Sequence, residues 1–296
     1  MLRSRSAILP VLVLAACGFA QADDQDEHAN GKGGTLLHPK DEGRVNNDAS
    51  RSSGANGILY HGGPVMLGTV NLHYIFYGNW SNDTATSILP DWGAHIGGTP
   101  YFNIETTYFN GAGTHISNSV SYAGAVFDNY SKGKNISDSD VVSIVANSNP
   151  SDPNGVYFVL TSADVNETSG FCTVYCGFHN HATINGQDIK YVFAGNAARC
   201  PSACSAQTIT PNGNLGADAM VNIMSHELDE AVTDPDLNAW FDRRGNENGD
   251  KCNFNFGPTS TLPSGAHYNQ TFGTRNYLIQ QNWVNANGGL CAQRYP

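Results

Sequence analysis

Six cysteines in the second half of the chain constrain its fold more than any other feature: Cys172, Cys176, Cys200, Cys204, Cys252 and Cys291. They matter because the chain starts with the marks of an exported protein. Arg3 and Arg5 precede an apolar run from Ala7 to Ala16, and Phe19-Ala20-Gln21-Ala22 ends in a small-x-small pattern. Residues 1–22 are read as a signal peptide, with Asp23 as the first mature residue. The apolar run is too short to cross a bilayer as a mature helix. An even number of cysteines in an oxidising compartment predicts three disulfides, with the pairing left open. The two CxxxC spacings also suit zinc knuckles, but the compartment and the departure from CxxC spacing argue against them.

The seventh cysteine, Cys17, ends the tetrapeptide Leu14-Ala15-Ala16-Cys17. Its form is that of a bacterial lipobox, so a lipid anchor at Cys17 on a bacterial envelope is the alternative to free secretion. Either route removes Cys17 from the disulfide count.

Charge excludes two classes of partner. The 15 basic residues, two of them in the leader, face 26 acidic ones. A nucleic-acid binder needs the opposite sign, and so does a polybasic membrane contact. Only 14% of residues are charged, while Gly, Asn, Ser and Thr abound. That suits a loop-rich extracellular domain and not a coiled coil.

Residues 23–56 form a polar arm, poor in the residues that build a core. Residues 57–296 are read as one α+β domain: disulfide-bonded, with a mixed sheet and a central helix. Strands are expected at Val70–Tyr77, Tyr122–Phe127, Val156–Leu160, Phe171–Tyr175 and Lys190–Ala194, where β-branched and aromatic residues gather. A helix over Asp83–Ile96 should break or kink at Pro90. Ser137-Asp138-Ser139-Asp140 opens a short helix. The most regular helix covers Gly216–Thr233 and stops at Asp234-Pro235.

Several pieces, in order over residues 58–296, carry a resemblance. They are Tyr60-His61-Gly62-Gly63-Pro64, Tyr77-Gly78-Asn79-Trp80, Phe171-Cys172-x3-Cys176-Gly177-Phe178-His179, Tyr191-Val192-Phe193-Ala194-Gly195-Asn196, Cys200-Pro201-x2-Cys204 and Pro211-Asn212-Gly213-Asn214-Leu215-Gly216. In these the chain resembles the phosphate-induced / EXORDIUM family. The resemblance implies an extracellular protein acting at the cell surface or wall, with an extracellular protein, a peptide or a wall component as partner. It implies no settled activity. Plant members carry apolar residues where this chain has Ser225-His226-Glu227-Leu228-Asp229-Glu230, so in that segment it resembles microbial relatives.

That segment is the candidate for chemistry. Residues i and i+4 share one helix face, so His226 and Glu230 can point at one ion with Glu227 beside them. The arrangement resembles the zincin helix H-E-x-x-H, in which two His bind zinc and the Glu activates water. It implies a zincin-like fold and, as the alternative function, a metallohydrolase of the peptidase class with Glu227 as general base. Glu247 and Asp250 are the candidates for a further ligand. Glu230 stands where the second His belongs, and a carboxylate favours harder ions. Zinc is therefore the first expectation and calcium the second. An exposed acidic helix end without metal is the competing reading.

Calcium has its own candidate loop. Asp234-x-Asp236-x-Asn238, then Asp242, Asn246, Asn248 and Asp250, offers many oxygen donors. Ala239 stands where an EF-hand needs Gly. His179 and His181 alternate, which puts them on one strand face as a lesser ligand candidate. Asn79, Asn82, Asn129, Asn135, Asn166 and Asn269 are N-x-Ser/Thr acceptors for glycans in a eukaryotic source.

Overall fold

The computed structural model describes residues 57–296. The expected signal peptide and polar arm, with Cys17, lie outside the described residues. The chain runs β1 (Leu59–Tyr60), β2 (Val70–Tyr77), α1 (Ala85–His95), β3 (Val120–Asp128), β4 (Asn135–Ile136), α2 (Asp138–Asn147), β5 (Gly155–Thr161), β6 (Asn166–Glu167), β7 (Gly177–Ile184) and β8 (Gln187–Ala194). It continues with α3 (Pro201–Cys204), α4 (Leu215–Thr233) and β9 (Trp240–Phe241), then six short strands, β10 to β15, between Ser260 and Ala292.

The main sheet has five strands in the order β3-β2-β5-β8-β7. Four are parallel and β7 is antiparallel to β8. This is the expected α+β domain with a mixed sheet. Every residue of β5 is buried, as a continuous apolar strand in the middle of a parallel sheet must be. The reversal into β8 is set locally. Asn185 and Gly186 both have positive φ (52° and 78°), the geometry of a two-residue hairpin turn. That hairpin makes β7 an edge strand, and α4 packs on β7 and β8.

Local signals were read correctly at α2 and α4. Ser137 and Asp140 form a reciprocal capping box. The Asn214 side chain accepts from Ala217 N and caps α4. Pro90 does not end its helix, and one expected strand is absent. Helix α1 runs through Pro90 without a break, because Ile88, Leu89 and Trp92 anchor it in the core on both sides of the missing N–H. Phe171–Tyr175 is a turn, not a strand. The buried Glu167 carboxylate gathers Ser169 N (2.7 Å), Phe171 N (3.3 Å) and the Tyr175 hydroxyl around itself, which curls the chain.

Three disulfides form. Cys172–Cys200 and Cys176–Cys204 tie that turn to α3, the turn before β7 to the helix after β8. Cys252–Cys291 ties the loop after α4 to the last strand, β15 (Leu290–Ala292).

Candidate metal centre

Helix α4 departs from an ordinary surface helix. All residues from Gly216 to Thr233 are buried, including Asp218, Asn222, His226, Glu227, Asp229 and Glu230. The reading of an exposed acidic helix end is overturned. The sheet covers one side, while α1, the turn at Phe102–Thr107 and the C-terminal segment cover the others. Charges this deep must find partners, protons or a cation.

They converge. His226 Nε2 lies 2.9 Å from Glu230 Oε1 and 3.5 Å from Asp250 Oδ1. Asp250 N donates to Glu230 Oε1 at 3.0 Å, so the loop after β9 is pinned onto the helix. From the edge strand comes His179, whose Nε2 is 3.1 Å from Glu247 Oε2 and 3.7 Å from Glu230 Oε2. Two overlapping sets, His179–Glu230–Glu247 and His226–Glu227–Glu230, each offer one ligand atom per residue within 4.8 Å of one another. Glu230 is thus the hub: His226 and Asp250 lie at one of its oxygens, and Glu247 stands on the other side of it by way of His179. His179 joins them, although the sequence reading gave it only a lesser part.

Glycines allow the approach. A Cβ on Gly249 would sit 3.0 Å from Glu230 Oε1 and from the His226 ring, and one on Gly177 would sit 2.5 Å from Ile223. Neither the loop nor the edge strand could come as near α4 with a side chain there.

The centre is short of hydrogen. Glu227 Oε2, Glu230 Oε2, His179 Nδ1 and His226 Nε2 are buried without a hydrogen bond. His226 Nε2 nonetheless stands only 2.9 Å from Glu230 Oε1. Burial pushes Glu227 and Glu247 well above the usual carboxylate range, and Glu230 up to about 7, each helped by neighbouring carboxylates. Burial pulls His179 down to about 3, with His226 adding to the drop. Burial also acts to lower His226, but Glu230, Asp250 and Glu227 outweigh it and hold the ring well above its usual value. Without a cation, the carboxylates must take up protons to coexist.

A second buried polar group stands behind the first. Asp229 accepts from the Tyr101 hydroxyl at 2.7 Å. Glu105 accepts from Asn248 Nδ2 at 3.0 Å and from Asn282 Nδ2. Burial raises both acids, and each raises the other further or is raised by its neighbours. Neither was singled out in the sequence, since an isolated Glu105 carries no pattern.

Most donors of the calcium candidate loop are engaged with other groups. Asp234 accepts from Asn238 N and Ala239 N, both at 2.6 Å. Asp242 is taken by Arg244 N, Asn246 N and Lys251, and Asn248 by Glu105. Most of these oxygens serve the loop's own turns, while Asp234 Oδ2 and Asn238 Oδ1 are buried without a partner. His181 also parts from His179: it faces Asp188 and Asp236 in a half-exposed group where the Lys190 ammonium bonds both acids and takes a cation's place.

Residues 58–292 match the conserved region of phosphate-induced protein 1. The chain is 31% identical over 216 residues to Protein EXORDIUM-like 5 of Arabidopsis thaliana, covering 62% of this chain and 59% of that one. It is 29% identical over 284 residues to Protein EXORDIUM-like 3 of the same plant, covering 80% and 84%. Protein PHOSPHATE-INDUCED 1 of Nicotiana tabacum is 26% identical over 214 residues, covering 62% and 67%. The chain thus spans well under two thirds of EXORDIUM-like 5 but most of EXORDIUM-like 3. No solved structure matches. Among the described residues no helix is long and apolar enough to cross a membrane.

Proposed function

The chain belongs to the phosphate-induced protein 1 family, and from that premise we propose a secreted protein that acts by binding at the cell surface or wall, its core locked around a buried divalent ion. The ion would be held by His179, His226, Glu230 and Glu247, with Asp250 in support. One observation carries this reading. Two His and three Glu converge with unpaired polar atoms, yet none of the five is more than 2% exposed. A hydrolase of the zincin kind must bring substrate to the Glu that activates water. Glu227 is 1% exposed, whereas that role needs it to face a cleft. The same burial suits an ion that contributes stability.

The donors also bear on which ion. Calcium takes six to eight oxygens, roughly, and has little use for two imidazoles. Mixed nitrogen and carboxylate donors suit zinc or a neighbouring first-row ion.

Elemental analysis of purified mature protein, beside a peptide-hydrolysis assay, tests the reading. Wild type and Glu227→Gln should carry the same near-stoichiometric metal and hydrolyse nothing, while Glu230→Ala should lose the metal. Hydrolysis by wild type that Glu227→Gln abolishes would establish the zincin-like alternative. Metal-free wild type would remove the ion from the account. Export is tested separately. Protein recovered from the medium should begin at Asp23; an intact Met1 on that material would end the secretion reading, and a lipid on Cys17 would replace it with an envelope anchor.

A further inference from the structure

A second site lies far from α4 in the chain, at the carboxyl ends of β2 and β3. There the first residues after β2 and the end of β3 enclose an open cavity of about 330 Å³, lined by Gly78, Asn79, Trp80, Ser81, Phe127 and Asn129. Loops at the carboxyl ends of parallel strands are where ligands bind in open α/β sheets, and the volume is that of a small-molecule pocket.

The lining is neutral. Phe127 is 67% exposed, the most exposed large hydrophobic side chain among the described residues. It is also firmly held: it stacks on Phe76 at 5.2 Å, and Trp80 packs edge-on against the same Phe76 ring. Around this ring stand uncharged polar groups. Asn79 Oδ1 accepts from Ser81 N at 3.0 Å, which leaves its amide nitrogen to donate outward. Asn129 and Ser81 are exposed and add an amide and a hydroxyl.

The loop is rigid rather than merely exposed. Gly78 N donates to Asp128 O at 2.8 Å, Asn79 N to Ser162 Oγ at 3.1 Å, and Trp80 Nε1 to Tyr77 O at 3.1 Å. Gly78 has φ +103°, and a Cβ there would fall 2.0 Å from Ser162 Oγ. The lining groups therefore lose little freedom on binding.

We propose that this pocket is a binding subsite for a neutral carbohydrate. A sugar ring offers C–H groups on one face and hydroxyls round its rim. An exposed aromatic face receives the first, and amides and a hydroxyl, each both donor and acceptor where placed, receive the second. A charged ligand would leave its charge without a partner, because no lining residue is ionisable. An anionic polymer is further disfavoured by the chain's formal net charge of −11.

This inference shares with the proposed function only the extracellular setting, and it is independent of the metal centre. The test uses mature protein made in a bacterial periplasm, where Asn79 and Asn129 stay free of N-glycans. Cellohexaose, xylohexaose and mannohexaose serve as neutral probes and hexagalacturonate as the anionic one, all by calorimetric titration. At least one neutral probe should bind, and Phe127→Ala should weaken it about tenfold. Phe127→Tyr should restore binding, and Phe127→Ala should keep the wild-type circular dichroism and metal content. Wild-type affinity in Phe127→Ala, binding of hexagalacturonate alone, or no binding of any neutral probe each overturns the proposal. None of these outcomes touches the elemental analysis, so the two readings fail separately.

Discussion

Stripping the proposed divalent ion should cost the protein roughly 4 kcal/mol of stability, the linkage expected when free ion stands near a thousand times its dissociation constant. The loss should deepen as pH rises above neutrality. The reason lies in where the protons go. In the folded, ion-free centre, Glu230 is raised to about 7 and Glu227 and Glu247 higher still, by burial and by one another. Each therefore holds a proton in the folded state that it releases on unfolding at neutral pH. A group with a raised folded pKa contributes stability that is fully present below its unfolded pKa, about 4.3 for Glu, and is lost as pH climbs through the folded value. His226, held high by Glu230 and its neighbours against the pull of burial, follows the same sign. His179 has the opposite sign: burial lowers it to about 3, so its contribution is lost as pH falls from about 6.5. Below pH 6.5 the two trends oppose. Above it only the losses remain. A bound cation removes the reason for the protons, so the loaded protein should show a flatter profile. Thermal melts from pH 5 to 8.5, with and without chelator, measure this. Parallel profiles for the two forms would place the ion elsewhere.

This centre shows where sequence reading works and where it stops. His226, Glu227 and Glu230 were legible because three side chains within one turn share a helix face whatever the fold. Glu247 and Asp250 were legible as nearby acids in a loop short enough to return. His179 sits 47 positions before His226 by numbering, and nothing local tells it from His181 two residues on. What separates them is tertiary. The Asn185-Gly186 hairpin makes β7 an edge strand beneath α4. On the same face, one pleat repeat apart, His179 meets Glu247 while His181, opposite Lys190, reaches Asp188 and Asp236. Burial of α4 was the larger misreading. Periodicity finds one apolar face, and it cannot report that the polar face is buried as well. Likewise the cysteines fixed the number of bridges but not the partners, which depend on the turn that Glu167 organises.

Those partners lead to the second large effect. Cys172–Cys200 and Cys176–Cys204 each join residues 28 apart, and their spans interlock, since Cys176 lies inside the first loop and Cys204 outside it. The first bridge to form restricts a loop of 28 residues in the unfolded chain, worth about 3.6 kcal/mol by loop entropy. Once it exists, the second closes only the short circuit through the two four-residue arms, about 2.5 kcal/mol by the same rule. Removing either bridge alone should therefore cost about 2.5 kcal/mol, because the survivor still restrains the large loop. Removing both should cost about 6 kcal/mol, more than the two single losses together and close to half of a domain's ordinary stability. The sign of the coupling is the informative part. Two independent bridges would give additive losses. Interlocked ones give a double loss in excess of the sum by about 1 kcal/mol. Urea melts of the Cys176→Ala/Cys204→Ala protein, the Cys172→Ala/Cys200→Ala protein and the fourfold variant measure all three terms. The fourfold variant should also lose metal at ordinary temperature. The turn it releases leads directly into β7, and with β7 goes the hold on His179. Additive losses, or a fourfold variant that keeps its metal, would mean that the hairpin stands on its own packing and that the bridges guard some other part of the chain.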